Sequence, residues 1–331
     1  LELDSTPRVV QVNYSRFEHS GLGIGICSKD PVTTGDSAYH WSGFVSVRNS
    51  VIQGSYTGVH VHADSVLLEG DSIAALGWGV WQHIGGGRRA RWFKVRDLTI
   101  RGGAYQGLYA EGAGEVEITG TRVSGSGLAA LDLRKISVRL TAVRNTLIGN
   151  SGPGMRLADT VARAIVDTNL IADNGSSGIL IRANFAGSFE GKLNSVLRNA
   201  PYGILDSSAA GGVLFERNNV AGNAFGALSR GADSLYAAQS WWGDSLGPRC
   251  SARCNPASRG DSVSAKVAFS PFASSPVSGA PSGGPAPAAS ALAGLTEAAV
   301  ADRVEDIPLY GSGGKPAAAF SPTAGRRRWF R

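Results

Sequence analysis

Between Val47 and Ala227 the chain writes one short phrase eight times over, and that repeat limits what it can fold into. An apolar residue opens each copy: Val47, Leu68, Val95, Ile118, Val143, Val166 and Phe215, with Lys192 in the seventh place. Five residues on comes a second apolar position: Ile52, Ile73, Ile100, Val123, Ile148, Ile171, Leu197 and Val220. A small residue follows: Gly58, Gly79, Gly107, Ala130, Gly154, Gly178, Gly203 and Gly226. Directly after it stands a third apolar file: Val59, Val80, Leu108, Leu131, Met155, Ile179, Ile204 and Ala227. The glycine column advances by 21, 28, 23, 24, 24, 25 and 23 residues. A period of that length means stacked units, each of which buries its apolar face only against its neighbours.

The apolar stretches are short, alternate at period two, and are bounded by Gly, Asn, Asp or Ser, which is strand patterning and not helix patterning. A leucine-rich repeat would show a leucine-dominated frame, and none is present. Each strand follows the same turn in the same sense, so hairpins are excluded. A strand pairs with its counterparts one coil up and one coil down, about 4.8 Å away. The expected fold is all-β, a single-stranded parallel β-helix. A turn file precedes the second apolar column: Asn49, Gly70, Asp97, Gly120, Asn145, Thr168, Asn194 and Arg217. Asn, Asp and Gly there tolerate left-handed backbone, and asparagines can stack from coil to coil. Val12, Phe17, Gly23 and Ile24 fit the same columns, so an earlier coil precedes the eight. The step from Gly23 to Gly58 leaves Ser28 through Trp41 as an inserted loop, and Gly85 to Arg89 reads as another.

After the coils come Ser240-Trp241-Trp242-Gly243 through Gly247-Pro248, then Gly260-Asp261-Ser262-Val263 through Phe269-Ser270-Pro271-Phe272. With the repeat, these segments make the chain resemble the right-handed parallel β-helix proteins, the pectate-lyase-like superfold, of the secreted bacterial type that closes its coils with such a cap. The resemblance covers roughly residues 12–272 and implies a right-handed solenoid of about ten coils. It also implies that Trp241 and Trp242 lie over the last apolar cross-section, which would otherwise invite edge-to-edge aggregation. Where that segment usually begins with Asn, this chain has Ser240.

The β-helix is therefore placed at residues 1–272, with its cap at 236–272. Residues 273–290, rich in Pro, Ala, Gly and Ser, read as a linker. Residues 291–331 read as a mostly disordered tail with room for one short helix at Leu292–Val304. The net charge of +6 is partly local, with Arg326, Arg327, Arg328 and Arg331 crowded at the end. That run is read as a solvated tail, not a nucleic-acid site. No apolar run is long enough to cross a bilayer. The chain opens at Leu1 already inside a coil, so it is read as a fragment or processed chain of a secreted or cell-surface protein, its signal peptide upstream. Cys250 and Cys254 are close enough for a loop disulfide if the protein is exported, and no second ligand pair nearby suggests zinc.

Function is expected on the outward positions. Skipping one residue after each third-column residue's Gly gives His60, Trp81, Tyr109, Asp132, Arg156, Leu180, Leu205 and Leu228. Two residues further stand His62, His83, Glu111, Arg134, Ala158 and Arg182. Trp81 and Tyr109 are candidates to stack on sugar rings, with His60, His62 and His83 as hydrogen-bonding partners. Glu111, Asp132, Arg134 and Arg156 are the catalytic candidates of a uronate lyase: carboxylates holding Ca²⁺ against the substrate, an Arg removing the proton. Nothing supplies a fourth ligand to the histidines, so no metal site is assigned. Leu180, Leu205 and Leu228 form an outward apolar stripe, expected to be covered by Leu292–Leu309 or by a neighbouring domain. Motifs of the enzymatic relatives are missing: no N-T-D or G-H-G with R-x-K, no D-P-H, no clustered Asp set. The expected function is thus an exported, non-catalytic β-helix presenting a carbohydrate- or surface-binding face. A polysaccharide lyase or glycoside hydrolase acting on an acidic polysaccharide is the alternative, and a rigid spacer within a larger surface protein is a third reading.

Overall fold

The structure is a computed structural model that describes residues 9–18, 22–26, 42–83, 89–209, 212–250 and 254–283. Among these, 27 strands form one continuous parallel network. Three strand files run through it. One passes through Val9–Asn13, Ser42–Arg48, Ala63–Glu69, Ala90–Arg96 and Ala113–Thr119. The second carries Ile52, Ile73, Ile100 and Val123, and the third Val59, Val80, Leu108 and Leu131. Each strand pairs with the copy one coil away, because no hairpin is available to it. The solenoid makes about eight turns where the sequence suggests ten. Its ends are the reason: the last coils shrink to the two-residue strands Leu235–Tyr236, Ser262–Val263 and Val267–Ala268.

The repeating apolar positions stack as vertical files. Val59, Val80, Leu108, Leu131, Met155, Ile179, Ile204 and Ala227 are all fully buried, and each such side chain contributes about 1.5–3 kcal/mol. The glycine column is small because coils touch there. A Cβ on Gly79 would sit 2.3 Å from the Gly107 carbonyl oxygen and 2.5 Å from Ile100 Cγ2. The early coil takes its expected register, with Val12 opposite Val47, Phe17 opposite Ile52, and Ile24 opposite Val59.

Two coils are shifted by one residue from the sequence reading. Opposite Ile118 stands Ala142, not Val143, and opposite Val123 stands Leu147, not Ile148. Likewise Gly191 replaces Lys192 and Val196 replaces Leu197 in the inward files. The cause is the turn. A file of left-handed residues runs Tyr14, Asn49, Gly70, Asp97, Gly120, Arg144, Thr168, Leu193, Arg217 and Gln239. The residue after each one points inward: Asn145, Asn169, Asn194 and Asn218 are fully or almost fully buried. Asn145 and Asn194 therefore belong to a ladder beside the turn and not to the left-handed positions first given to them.

Two asparagine ladders result. In the first, the Asn145 backbone N–H donates to Asn169 Oδ1 (2.9 Å), Asn169 to Asn194 (2.9 Å), and Asn194 to Asn218 (2.8 Å). It ends on Ser240, whose Oγ accepts from the Asn218 N–H at 3.2 Å. In the second, Asn150, Asn174, Asn199 and Asn223 repeat the pattern and end on Asp261. Trp242 is fully buried within the core cluster, whereas Trp241 is only half-buried and bridges to Asn219. One indole, not two, therefore fills the last cross-section. Cys250 and Cys254 form a disulfide. Residues 273–283, the described part of the expected linker, lie along the coils: Val277 N–H donates to Asn219 Oδ1 at 2.7 Å, and Ser195 Oγ–H to the Pro281 carbonyl at 2.5 Å. The inserted loop at 28–41, the loop core at 84–88 and the tail from 284 onward lie outside the described residues.

Candidate functional site

The outward file is in register through eight coils. His60 pairs with Trp81, Trp81 with Tyr109, Tyr109 with Asp132, Asp132 with Arg156, and Arg156 with Leu180, then Leu205 and Leu228. Beside it, Glu111 stands opposite Arg134, and Arg134 opposite Ala158. All nine candidate site residues thus fall on one face. Much of that face is buried. Leu180, Leu205 and Leu228 are 3%, 1% and 1% exposed although they lie outside the core cluster; the segment expected to cover them is outside the described residues.

At the first end the rings pack against one another. His60 stacks on Trp81 (4.2 Å, 6°), Trp81 on Trp78 (5.2 Å, 16°), and Trp78 on Tyr105 (5.0 Å, 26°). Tyr56, 49% exposed, meets Tyr105 edge-on at 6.2 Å. Both faces of Trp81 are therefore taken, and it presents an edge. Trp78, Tyr105 and Tyr56 are the members that sequence reasoning missed. The signal was available in Trp78, three residues before Trp81 and in register with Thr57. Burial, with the neighbouring His62 and His83, pushes the His60 imidazole down to about 3, so it stacks as a neutral ring.

At the centre, acids and bases consume one another. The Asp132 carboxylate, 0% exposed, accepts Arg134 Nε (3.1 Å) and Nη2 (3.1 Å), Arg156 Nε (2.9 Å) and Nη2, and Gln106 Nε2 (3.2 Å). Burial alone would raise its pKa; Arg156 and then Arg134 outweigh that and hold it below the usual carboxylate range. Glu111 accepts the Tyr109 hydroxyl and Lys135 Nζ (2.5 Å), with His83 Nδ1 at 3.2 Å. Here too burial acts to raise the carboxyl, and the hydrogen bonds from His83, Lys135 and Tyr109 prevail and lower it. The Tyr109 phenol is pushed up by burial and by Glu111, while the Arg134 guanidinium lies 5.5 Å from its ring centroid.

A general acid needs a raised carboxyl pKa, and both carboxyls are depressed. A lyase base needs a lowered one, and Tyr109 and Arg134 are both raised. The Ca²⁺ of the lyase reading does not fit either, because Glu111 and Asp132 give their oxygens to Lys135, Arg134 and Arg156. Among the described residues no three His, Cys, Asp or Glu side chains converge as metal ligands. Nor is any helix of the described residues long and apolar enough to cross a membrane.

Compared with known proteins, the chain matches a family model described as a right handed beta helix region over residues 34–225. No curated protein and no solved structure gives a match.

Proposed function

The chain belongs to the right-handed β-helix family, a membership that fixes architecture and leaves chemistry open, and we propose that it is a non-catalytic, exported β-helix whose outer face binds a polysaccharide. One observation supports this reading over an enzyme. The groups with acid–base potential, Glu111, Asp132, Arg134 and Arg156, neutralise each other, while the aromatic row beside them stays partly open. Trp78, Trp81 and Tyr105 are half-buried and Tyr56 is exposed. Rings held rigidly by their neighbours bind sugars at low entropic cost, and Tyr and Trp combine apolar area with a polar handle. The Cys250–Cys254 disulfide supports an oxidising compartment, and hence export.

The test is a glycan array followed by affinity electrophoresis. Tyr56→Ala and Tyr105→Ala should each weaken binding about tenfold, the loss of roughly 1–1.5 kcal/mol of ring contact. Incubation with the bound polysaccharide should release neither unsaturated ends nor reducing sugar. Turnover, or binding indifferent to both substitutions, would overturn the proposal.

A further inference from the structure

Several arginines on the outside of the stack answer an acid one coil away: Arg48 meets Glu69 at 3.3 Å, Arg96 meets Glu117 at 3.1 Å, and Arg198 meets Asp173 at 2.8 Å. Arg101, Arg122 and Arg144 have no such partner. All three are exposed, and none makes a side-chain hydrogen bond or an ion pair among the described residues. They stand on successive coils. Arg144 occupies the turn file beside Gly120. Arg122, two residues past Gly120, pairs with Thr99, and Arg101 is two residues past Thr99. Each step is one coil across and two residues along, roughly 8 Å, so the three arginines follow one diagonal over the second strand file. The acids nearest this line are turned elsewhere. Asp167, whose backbone carbonyl accepts the Arg144 N–H, gives its carboxylate to the Lys192 N–H at 3.0 Å. Asp97 lies against Gly120 and forms no ion pair among the described residues.

At one end the diagonal opens on a cleft of about 560 Å³ between the stack and the segment 273–283. Arg144 lines it with Thr146, Thr168 and Leu170 of the stack and Pro281 and Ser282 of the segment. Hydroxyls, a guanidinium and an apolar floor are the mixture that holds a sugar bearing an anionic group. At the other end the diagonal runs into the aromatic row. Ala74 stands opposite Arg101, and two residues past Ala74 is Leu76, 64% exposed, beside Tyr56, whose ring lies over Gly77. The chain's own continuation does not match this line of cations, because from Gly284 to Thr296 it carries no acid.

We propose that the cleft and the Arg144–Arg122–Arg101 diagonal form a binding track for an acidic polysaccharide, whose carboxylate or sulfate groups meet the arginines and whose chain continues onto Tyr56. That the polymer is a glycan rests on the reading above; that it is anionic rests on the arginines. The test measures binding of the full chain to dextran sulfate, polygalacturonate, neutral dextran and poly-glutamate. Dextran sulfate or polygalacturonate should bind more tightly than the other two, and the pair tells sulfate from carboxylate. Arg101→Gln, Arg122→Gln and Arg144→Gln should each weaken that binding about threefold, and the triple variant about tenfold or more, the scale of exposed ion pairs. Arg217→Gln, at an exposed arginine further along the same turn file, should change nothing and so controls for net charge. Ser282→Glu sets a competing carboxylate in the cleft and should weaken binding as much as Arg144→Gln, whereas Ser282→Gln should stay close to the wild type.

Binding of the acidic polymers that survives in the triple variant would overturn the track, since it would then come from other cations such as the arginines of the tail. A lower melting temperature of the triple variant without polymer would overturn it too, because the three arginines would already be paired within the chain. Equal binding by Ser282→Glu and Ser282→Gln would remove the cleft from the track. Poly-glutamate bound as tightly as the acidic glycans, with the same loss in the triple variant, would sustain an anionic track and overturn the polysaccharide as its ligand. Dextran binding that depends on Tyr56 and ignores all three arginines, with no preference for charged polymers, would sustain the glycan reading and overturn the track. Binding of none of the four polymers would overturn both.

Discussion

Asp261 shows how much one atom of difference matters here. It ends the second ladder where a further asparagine would continue it, and the difference is acceptor count. One carboxylate oxygen accepts the Asn223 N–H (3.0 Å) and Nδ2 (2.8 Å), and the other accepts the Gly222 N–H (2.8 Å). An amide would turn its NH₂ toward one of those donors. The group is only 8% exposed. Burial pushes its carboxyl from 3.8 up to about 7, against the pull of the Asn223 and Gly222 donors and of Arg249. The folded chain then holds a proton that the unfolded chain has released between these two values, so stability falls as pH rises through that window. The slope from this residue should approach about 1.4 kcal/mol per pH unit at most. Denaturant melts between pH 5 and 8 on the order of one unit apart should show the decline in the wild type and a flatter profile in Asp261→Asn. Identical pH profiles for the two would show that Asp261 does not titrate in this range.

The coil is where the readable and unreadable parts of the sequence divide. Spacing and period alone located the strands, the three apolar files and the whole outward file from His60 to Leu228, because side chains that alternate on stacked strands have only one consistent placement. Register failed where two apolar residues adjoin, at Leu147-Ile148 and Val196-Leu197. Hydropathy cannot choose between such neighbours. The buried asparagine two places earlier does choose, since Asn145 and Asn194 must reach their ladder. Burial of the charged centre was equally unreadable, because Asp132 and Arg156 look like surface residues until their pairing across coils is known. The ladder itself can be tested at Asn169. Its Oδ1 accepts both the backbone N–H and Nδ2 of Asn145, and its Nδ2 donates to the Ala142 carbonyl at 2.9 Å. Asn169→Ala orphans three buried groups and should cost about 3 kcal/mol or more, read as a shift in the denaturant midpoint. Asn169→Asp keeps the acceptor but turns an oxygen toward the Ala142 carbonyl and Asn194 Oδ1 and should cost at least as much.

A solenoid holds together by contacts between adjacent coils, so its ends can unravel without the middle. The segment 273–283 breaks that rule. It doubles back over the outside of the stack and spans three successive coils, tying the first of them to the third, which it does not otherwise touch. Ala273 N–H donates to the Ser240 carbonyl (3.0 Å), and Val277 exchanges two bonds with Asn219 (2.7 and 3.3 Å). Ser195 then reaches Pro281, and Arg198 Nη2 reaches the Gly283 carbonyl at 3.3 Å. Gly283 sits so close to Leu197 that an added Cβ would fall 2.1 Å from Leu197 Cδ1. Leu197, placed in the core by the sequence pattern, points outward and seats the strap. The conformational entropy lost on ordering these eleven mostly small residues offsets the strap's five hydrogen bonds. The strap's effect should lie in coupling and not in global stability. Truncation after Phe272 should therefore leave the main denaturant midpoint nearly unchanged while hydrogen exchange quickens in the coils of Ser195–Leu197 and Asn219–Ala221. Exchange at Ile52 and Ile73, several coils away, should stay as it was. Truncation after Gly283, which keeps the strap, supplies the control. Uniform acceleration along the stack after the first truncation, or none in the strapped coils, would show that those coils are joined by their neighbours alone.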